Sequence, residues 1–311
     1  MARKRPHEIL IESAIFLAGG ISILFVVLIF VFLLKEGLAL FRSVSLPAFL
    51  FGRDWYPIST PPRFGALPLV LGSVWITVGA IAVSVPIGVA CAVYIAEVAP
   101  RWLREVLKAS VEFLAAIPSI VLGFIGLVTL TPAVQRIFNL PTGLTALSGS
   151  LMLGFMAMPT IVSIMEDALT AVPRSYREGA LALGATHWQA IRRVILPAAS
   201  SGVIAAVMLG IGRVIGETMA VMMITGNAAR IPTSLLQPVR TMTATIAAEM
   251  GEAVQGSPHY ASLFAIGIVL FVITFVINLT ADFFLHREVG ALRAVPAGRQ
   301  ESPLRQKPHK K

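Results

Sequence analysis

Between Leu209 and Val221 the chain reads LGIGRVIGETMAV, an apolar and small-residue run carrying two full charges, Arg213 and Glu217, four residues apart. An ionised side chain at the centre of a bilayer costs at least about 2.5–3.5 kcal/mol. Four-residue spacing puts both groups on one helical face, where they can pair. Arginine precedes glutamate, the weaker order for an isolated helix, so local helix stability does not explain the spacing. Neutralisation alone is also a poor reason, because apolar residues often replace a buried ion pair at no cost. A guanidinium, however, offers an oxyanion a planar fork of donors. The neighbouring carboxylate would compensate it whenever no anion is bound. The pattern points to an anion station on a polar pathway; the alternative is a salt bridge that only glues helices. Monohydrogen phosphate keeps a proton it can donate to a carboxylate, and sulfate at neutral pH does not, so the pair would tolerate phosphate better.

Gly210, Gly212 and Gly216 surround the pair and Thr218 follows it. Their G-x-G-x-x-x-G spacing is not the dinucleotide fingerprint, and no strand precedes it. Gly212 and Gly216 form a small-xxx-small face suited to close helix approach; clearance for an ion beside Arg213 is the other reading. Pro118-Ser119 predicts a kink and a freed carbonyl in the third apolar run, and Pro86 and Pro159 predict the same in the second and fourth. Glu112 opens the third run, either as a solvated end or as a pathway group. Glu166 and Asp167 read as interfacial groups at the end of the fourth. The single cysteine, Cys91, reads as a buried small hydrophobe. The five histidines form no pair at metal-ligand spacing, so no metal site is assigned.

The elements that must hold these residues follow from composition. The chain of 311 residues is 56% hydrophobic and 13% charged, against about a quarter charged in soluble domains. Several uncharged runs exceed the roughly 20 residues that span a bilayer as helix, and short alternating barrel strands are absent from the pattern. The fold class is all-α, a polytopic membrane protein of about six transmembrane helices, at approximately 11–34, 67–97, 110–134, 143–168, 198–226 and 259–286. The basic start MARKRPHE, followed by an apolar run without a small-residue cleavage site, predicts a retained signal-anchor helix. Cytoplasmic termini place 17 Lys and Arg in inner segments and seven in outer ones, the favoured orientation in a cytoplasmic membrane. The net charge of +9 therefore reads as inner-loop and tail bias rather than as a nucleic-acid surface. Three regions follow: 1–66, signal anchor and external loop; 67–287, a core with an inner loop at 173–197; and 288–311, a basic cytoplasmic tail without fixed structure. Of the two long external segments, 35–66 is rich in aromatics and prolines, and 227–258 contains a short helix from Thr241 to Ala253 on or dipping into the outer face.

The inner loop reads VPRSYREGALALGATHWQAIRRVILPAAS. Leu181, Gly184, Trp188, Ile191 and Ile195 recur at three- and four-residue steps, which predicts one apolar helical face. Gly184 interrupts it where a turn between two short helices would fall. Such a face docks either on the protein's own helices or in a groove of another protein.

Glu178-Gly179-Ala180, then Gly184, then Val194-Ile195-Leu196-Pro197 resembles the EAA loop of the permease subunits of bacterial ABC importers. Gly179 stands where that family usually has alanine, and Val194 where it has isoleucine. The segments FGALPLVLGSVWIT, EFLAAIPSIVLGFIGL and GRVIGETMAVMMITGN are similar to phosphate-specific permeases of the PstC type. The resemblance implies a type I ABC-importer permease architecture. It also implies a coupling helix around Glu178, Gly179, Ala180, Gly184, Trp188, Leu196 and Pro197 that docks on an ATPase subunit. The implied partners are a sister permease of the PstA type in a heterodimer, two ATP-binding subunits, an external phosphate-binding protein and membrane lipid, with no nucleic acid. This chain has no G-x-x-x-x-G-K-[ST] loop, so ATP would be used by the partner, with no cofactor bound here and no catalytic residue. The alternatives are a permease for sulfate, molybdate or another oxyanion, the sister PstA-type subunit, and, from a different class, an ion-driven transporter or channel. The substrate pathway is expected at Arg213, Glu217, Gly212, Gly216, Thr218, Pro118 and Ser119.

Overall fold

The computed structural model describes residues 6–293, and nearly all of its elements are helices. α1 (Pro6–Leu38) is apolar on every side, as a membrane span is. A tight turn at Ala39–Arg42, α2 (Leu46–Phe51) and the antiparallel ladder β1 (Trp55–Tyr56) with β2 (Arg63–Phe64) fill the first long loop. α3 (Leu67–Val93) runs on through one wide π turn, Tyr94–Val98, and ends at Ala99-Pro100, where proline cannot continue it. α4 (Arg101–Ala116) is amphipathic and has no fully buried residue. α5 (Ser119–Ile125), a π turn at Gly126–Leu130 and α6 (Thr131–Ile137) form the next crossing, and α7 (Ala146–Thr170) is the most buried span. α8 (Arg174–Ala182), α9 (His187–Ala190), a π turn at Ile191–Ile195 and α10 (Leu196–Ala198) make up the loop before α11 (Ser200–Gly216). α12 (Met219–Ile224), α13 (Met242–Glu249) and α14 (Pro258–Arg293) complete the described chain.

Packing is organised around α7, which lies along α3 on one side and α11 on another, while α1 rests on α14. One apolar cluster joins these central helices through Ile76, Leu153, Ile161, Met165, Ile195 and Ile224. A second joins the first long loop to the chain's later part, with Phe49, Trp55 and Leu69 against Met242 and Leu263. α3 therefore has two distinct ends: a distal end beside residues 39–66 and 225–257, and a proximal end beside α4 and the α8–α10 loop.

The all-α, polytopic expectation holds, with that one short ladder the only sheet among the described residues. Among the described residues five helical stretches are long and apolar enough to cross a membrane, and a sixth crossing needs the pair His187–Ala198 and Ser200–Gly216, bent by 71°. Two expected spans are corrected. The third does not run from 110 to 134: the chain is extended at Ile117 and Pro118, so the crossing is Ser119–Ile137 and α4 stands apart as an amphipathic helix. The residue before a proline is pushed out of helical geometry, which is why the break falls there. The fifth does not run unbroken from 198 to 226, because its helix stops at Gly216 and restarts at Met219. α13 is the helix expected after Thr241, and its first residues are buried, so it dips into the fold rather than lying on it. α14 continues to Arg293, past the boundary expected at 287; the rest of the basic tail and residues 1–5 lie outside the described residues. Cys91 is exposed on the chain's apolar flank, not buried.

Candidate functional site: a broken span and a loop of short helices

The break after Gly216 gives each charge of the Arg213/Glu217 pair its own helix end. Arg213 lies in the last turn of α11, where the partial negative end of the helix favours a cation. Glu217 is extended, and its Oε1 accepts N–H bonds from Thr218 (3.1 Å) and Ala220 (3.2 Å) at the start of α12. A carboxylate capping a helix start is the arrangement the dipole favours. The Glu217 carbonyl, released by the break, accepts a 2.8 Å bond from Thr243 Oγ1 of α13. Membrane chains tolerate such breaks where neighbours satisfy the freed backbone.

The expected Arg213–Glu217 pairing is therefore corrected: no salt bridge joins them, because the four-residue geometry exists only on a continuous helix and this one is interrupted. Among the described residues Arg213 has no ion pair, and its Nε is buried without a hydrogen-bond partner. An unmet buried donor of this kind costs about 1–3 kcal/mol. Thr218 Oγ1 turns back onto the Gly216 carbonyl at 3.2 Å.

Arg213 stands at the edge between two faces of α11. Ala206, Gly210 and Val214 are buried towards α7, and a Cβ on Gly210 would meet Ile161 Cγ1 at 2.6 Å. Leu209, Gly212 and Gly216 are exposed, and a Cβ on either of those two glycines meets nothing within 4 Å. Among the described residues, no helix makes the close approach expected at Gly212 and Gly216. Behind Glu217 a cavity of about 10 Å³, lined by Ser73, Thr77, Thr241 and Thr243, is room for about one water. Pro118 and Ser119 start α5 rather than kink it, and no described hydrogen bond or cavity links them to Arg213.

At the proximal end the α8–α10 loop is shaped by two local signals. α8 closes with Gly184 at φ +84°, with bonds from Gly184 N–H to the Leu181 carbonyl and from Ala185 N–H to the Ala180 carbonyl. That paired pattern ends a helix and requires a left-handed residue, which glycine supplies. α9 starts with a reciprocal cap: Gln189 N–H to Thr186 Oγ1 and Thr186 N–H to Gln189 Oε1. The single apolar face expected from Leu181 to Ile195 is divided by this turn. Ile191 and Ile195 are buried in the central core, whereas Leu181, Leu183 and Trp188 are exposed. Glu178 and Gly179 are exposed, Ala180 is buried, Leu196 is half-buried and Pro197 exposed. Trp188, Ile191 and Leu196 line an apolar cleft of about 480 Å³ against Pro86, Val93 and Tyr94 of the second span.

Three polar clusters were not legible beforehand. Glu97, in the π turn ending α3, is paired with Arg177 of α8. Lys108 of α4 holds Glu166 at 2.7 Å and Asp167 at 2.8 Å, with the Glu166 side chain buried and that of Asp167 exposed. Those bonds, Asp167's first, push the Lys108 ammonium well above the ordinary lysine range. At the distal end Glu249 accepts from Arg240 (2.6 Å), from Trp55 Nε1 (3.2 Å) and lies 2.9 Å from His259 Nε2. A lone carboxylate in YIAEV signals that a partner must exist, but a partner 80 residues away has no spacing to betray it.

Residues 84–288 match the family described as "binding-protein-dependent transport system inner membrane component". A probable ABC transporter permease protein, YqgH, of Bacillus subtilis is 39% identical over 84% of this chain and 85% of its own length. The phosphate transport system permease protein PstC of Mesorhizobium japonicum is 39% identical over 77% and 78% respectively. Among solved structures, a bacterial ABC transporter that imports alginate aligns over 91% of this chain and 99% of its own (TM-score 0.62, 16% identity). The MetNI methionine ABC transporter in an inward-facing state aligns over 72% and 94% (TM-score 0.53, 21% identity). At these identities the two structures speak for the fold.

Proposed function

The chain belongs to the binding-protein-dependent transport system inner membrane components, and on that premise we propose that this ABC-importer permease subunit carries inorganic phosphate. The observation that carries the substrate is Arg213, a guanidinium within a membrane span that has no counter-charge among the described residues and one buried, unmet N–H. An anion with several acceptor oxygens meets that need directly. The relative named for phosphate transport points the same way. The open Leu209–Gly212–Gly216 face leaves one side of the site unwalled, and a sister permease of the PstA type would close it. Phosphate would then pass between two chains, with Gly212, Gly216, Thr218 and Glu217 around Arg213.

The α8–α10 loop would dock on one of two ATP-binding subunits, presenting Glu178, Gly179, Leu183 and Trp188, and an external binding protein would deliver phosphate at the distal end. Both termini would be cytoplasmic, and ATP would be consumed by the partner alone. ATP-dependent uptake of labelled phosphate into vesicles holding the purified assembly tests the reading. Arg213→Ala should lower uptake by roughly 10–150-fold, the equivalent of the 1.5–3 kcal/mol typical of bonds to a charged group. Lysine there keeps the charge without the fork and should fall between. Undiminished uptake in Arg213→Ala, or ATP-dependent uptake of sulfate or molybdate in place of phosphate, would overturn the assignment.

A further inference from the structure

The proximal end of α3 is held by basic groups from three separate elements. Arg177 of α8 donates to both carboxylate oxygens of Glu97, through Nε at 3.0 Å and through Nη2. His187, the first residue of α9, places Nε2 3.4 Å from the Glu97 carbonyl oxygen. Arg104 of α4 donates to the carbonyl of Ala96. The Glu97 side chain is 1% exposed and Arg177 29%, so the carboxylate is enclosed and the guanidinium covers it. A two-point contact fixes orientation as well as distance, which a single ammonium–carboxylate contact does not.

The other end of α3 reaches the broken span. Ser73 Oγ accepts the Met242 N–H at 3.0 Å, and Ser73 and Thr77 line the small cavity behind Glu217 with Thr241 and Thr243. From Glu97 to Ser73 the helix covers about 36 Å at 1.5 Å per residue. One continuous helix thus joins the exposed loop to the cavity behind Glu217 in the broken span, and the Arg177–Glu97 pair is where the loop grips it.

We propose that Arg177 and Glu97 are positioning residues that pass displacement of the α8–α10 loop to α3 and along it to the broken span. The proposal rests on the reading of that loop as the ATPase dock. Arg177 adjoins Glu178 but points back into the fold, so its role separates from docking: the exposed residues bind the partner and Arg177 transmits. Buried Ile191 and Ile195 anchor the loop to the core without fixing its direction, because apolar contact is non-directional.

A double-mutant cycle tests this with the whole assembly in vesicles. Arg177→Gln, Glu97→Gln and the double variant are compared for ATPase-subunit retention, ATP hydrolysis, and phosphate transported per ATP. The expected result is full retention and continued hydrolysis, with transport per ATP falling about tenfold in either single variant and no further in the double. Arg177→Lys, which keeps charge but loses the second contact, should recover only part. Unchanged transport per ATP in Arg177→Gln, or a double variant equal to the product of the two single losses, would overturn the proposal. So would loss of the ATPase subunit from Arg177→Gln, which would make Arg177 a docking residue. If the unmodified assembly shows no ATP-dependent uptake, the underlying functional reading fails instead, and the two failures are distinguishable. Should Glu97→Gln not assemble, the double variant, which leaves no lone buried charge, still reports on the link against Arg177→Gln.

Discussion

Glu217 and Arg213 are held by different forces, although four residues separate them. The arginine sits at the carbonyl end of α11 and the glutamate at the amide end of α12, so the backbone compensates each in part. Glu217 is thereby a cap first, and the loss of its acceptor has a defined size. Glu217→Ala should lower the stability of the purified assembly by about 0.5–2 kcal/mol, the usual cost of removing a cap. Glu217→Gln keeps an oxygen for the Thr218 and Ala220 N–H groups and should lose only a few tenths of that range. Thermal unfolding of the two variants side by side distinguishes them, and equal losses would show that the cap is not what Glu217 supplies. Among the described residues Oε1 takes both bonds, so on the proposed phosphate reading Oε2 would be the oxygen that meets a protonated oxyanion. Glu217→Gln should accordingly admit more sulfate competition against phosphate uptake than the parent chain does.

At the scale of elements, the spans were legible because roughly 20 apolar residues admit few alternatives in lipid. The breaks were legible in principle. Ile117-Pro118 carries the ordinary proline signal, and Gly216 followed by Thr218 combines a helix stop with a helix start. Apolar composition continues across both, and hydropathy cannot register a backbone turn. The long-range ion pairs were illegible for a different reason: Glu97 to Arg177 and Lys108 to Glu166 are fixed by helix packing, which spacing along one chain does not encode. The glycines of α11 show the same division between chain and assembly. Gly210→Leu should destabilise this chain by about 1–3 kcal/mol, since the new side chain must overlap buried Ile161. Gly212→Leu meets open space here, so it should leave the chain's own unfolding unchanged and act only on what covers that face. Loss of the sister permease on co-purification assigns Gly212 to helix contact, while retained assembly with lost uptake assigns it to the pathway. Unfolding of the isolated chain at lower temperature would contradict the open face.

On the proposed coupling, the whole molecule would act as a lever with unequal ends. Its distal end is a folded cap in which Trp55, Arg240 and His259 converge on Glu249, and its proximal end exposes apolar side chains that no described residue covers. Trp188 is 63% exposed and Leu183 91%, on a loop whose short helices are delimited by the Gly184 turn and the Thr186 cap. Ordered, exposed aromatics of this kind make the anchors of protein interfaces, and truncating an anchor typically costs 2 kcal/mol or more. Trp188→Ala should therefore weaken binding of the ATP-hydrolysing subunit by roughly thirtyfold or more. Its buried neighbour Ala190 and the Thr186 cap do not depend on the indole, so the loop itself should keep its fold. Titrating the purified ATPase subunit onto the membrane complex measures the dissociation constant directly. An unchanged constant would place the dock elsewhere on the proximal end and leave Trp188 as a wall of the apolar cleft beside Tyr94.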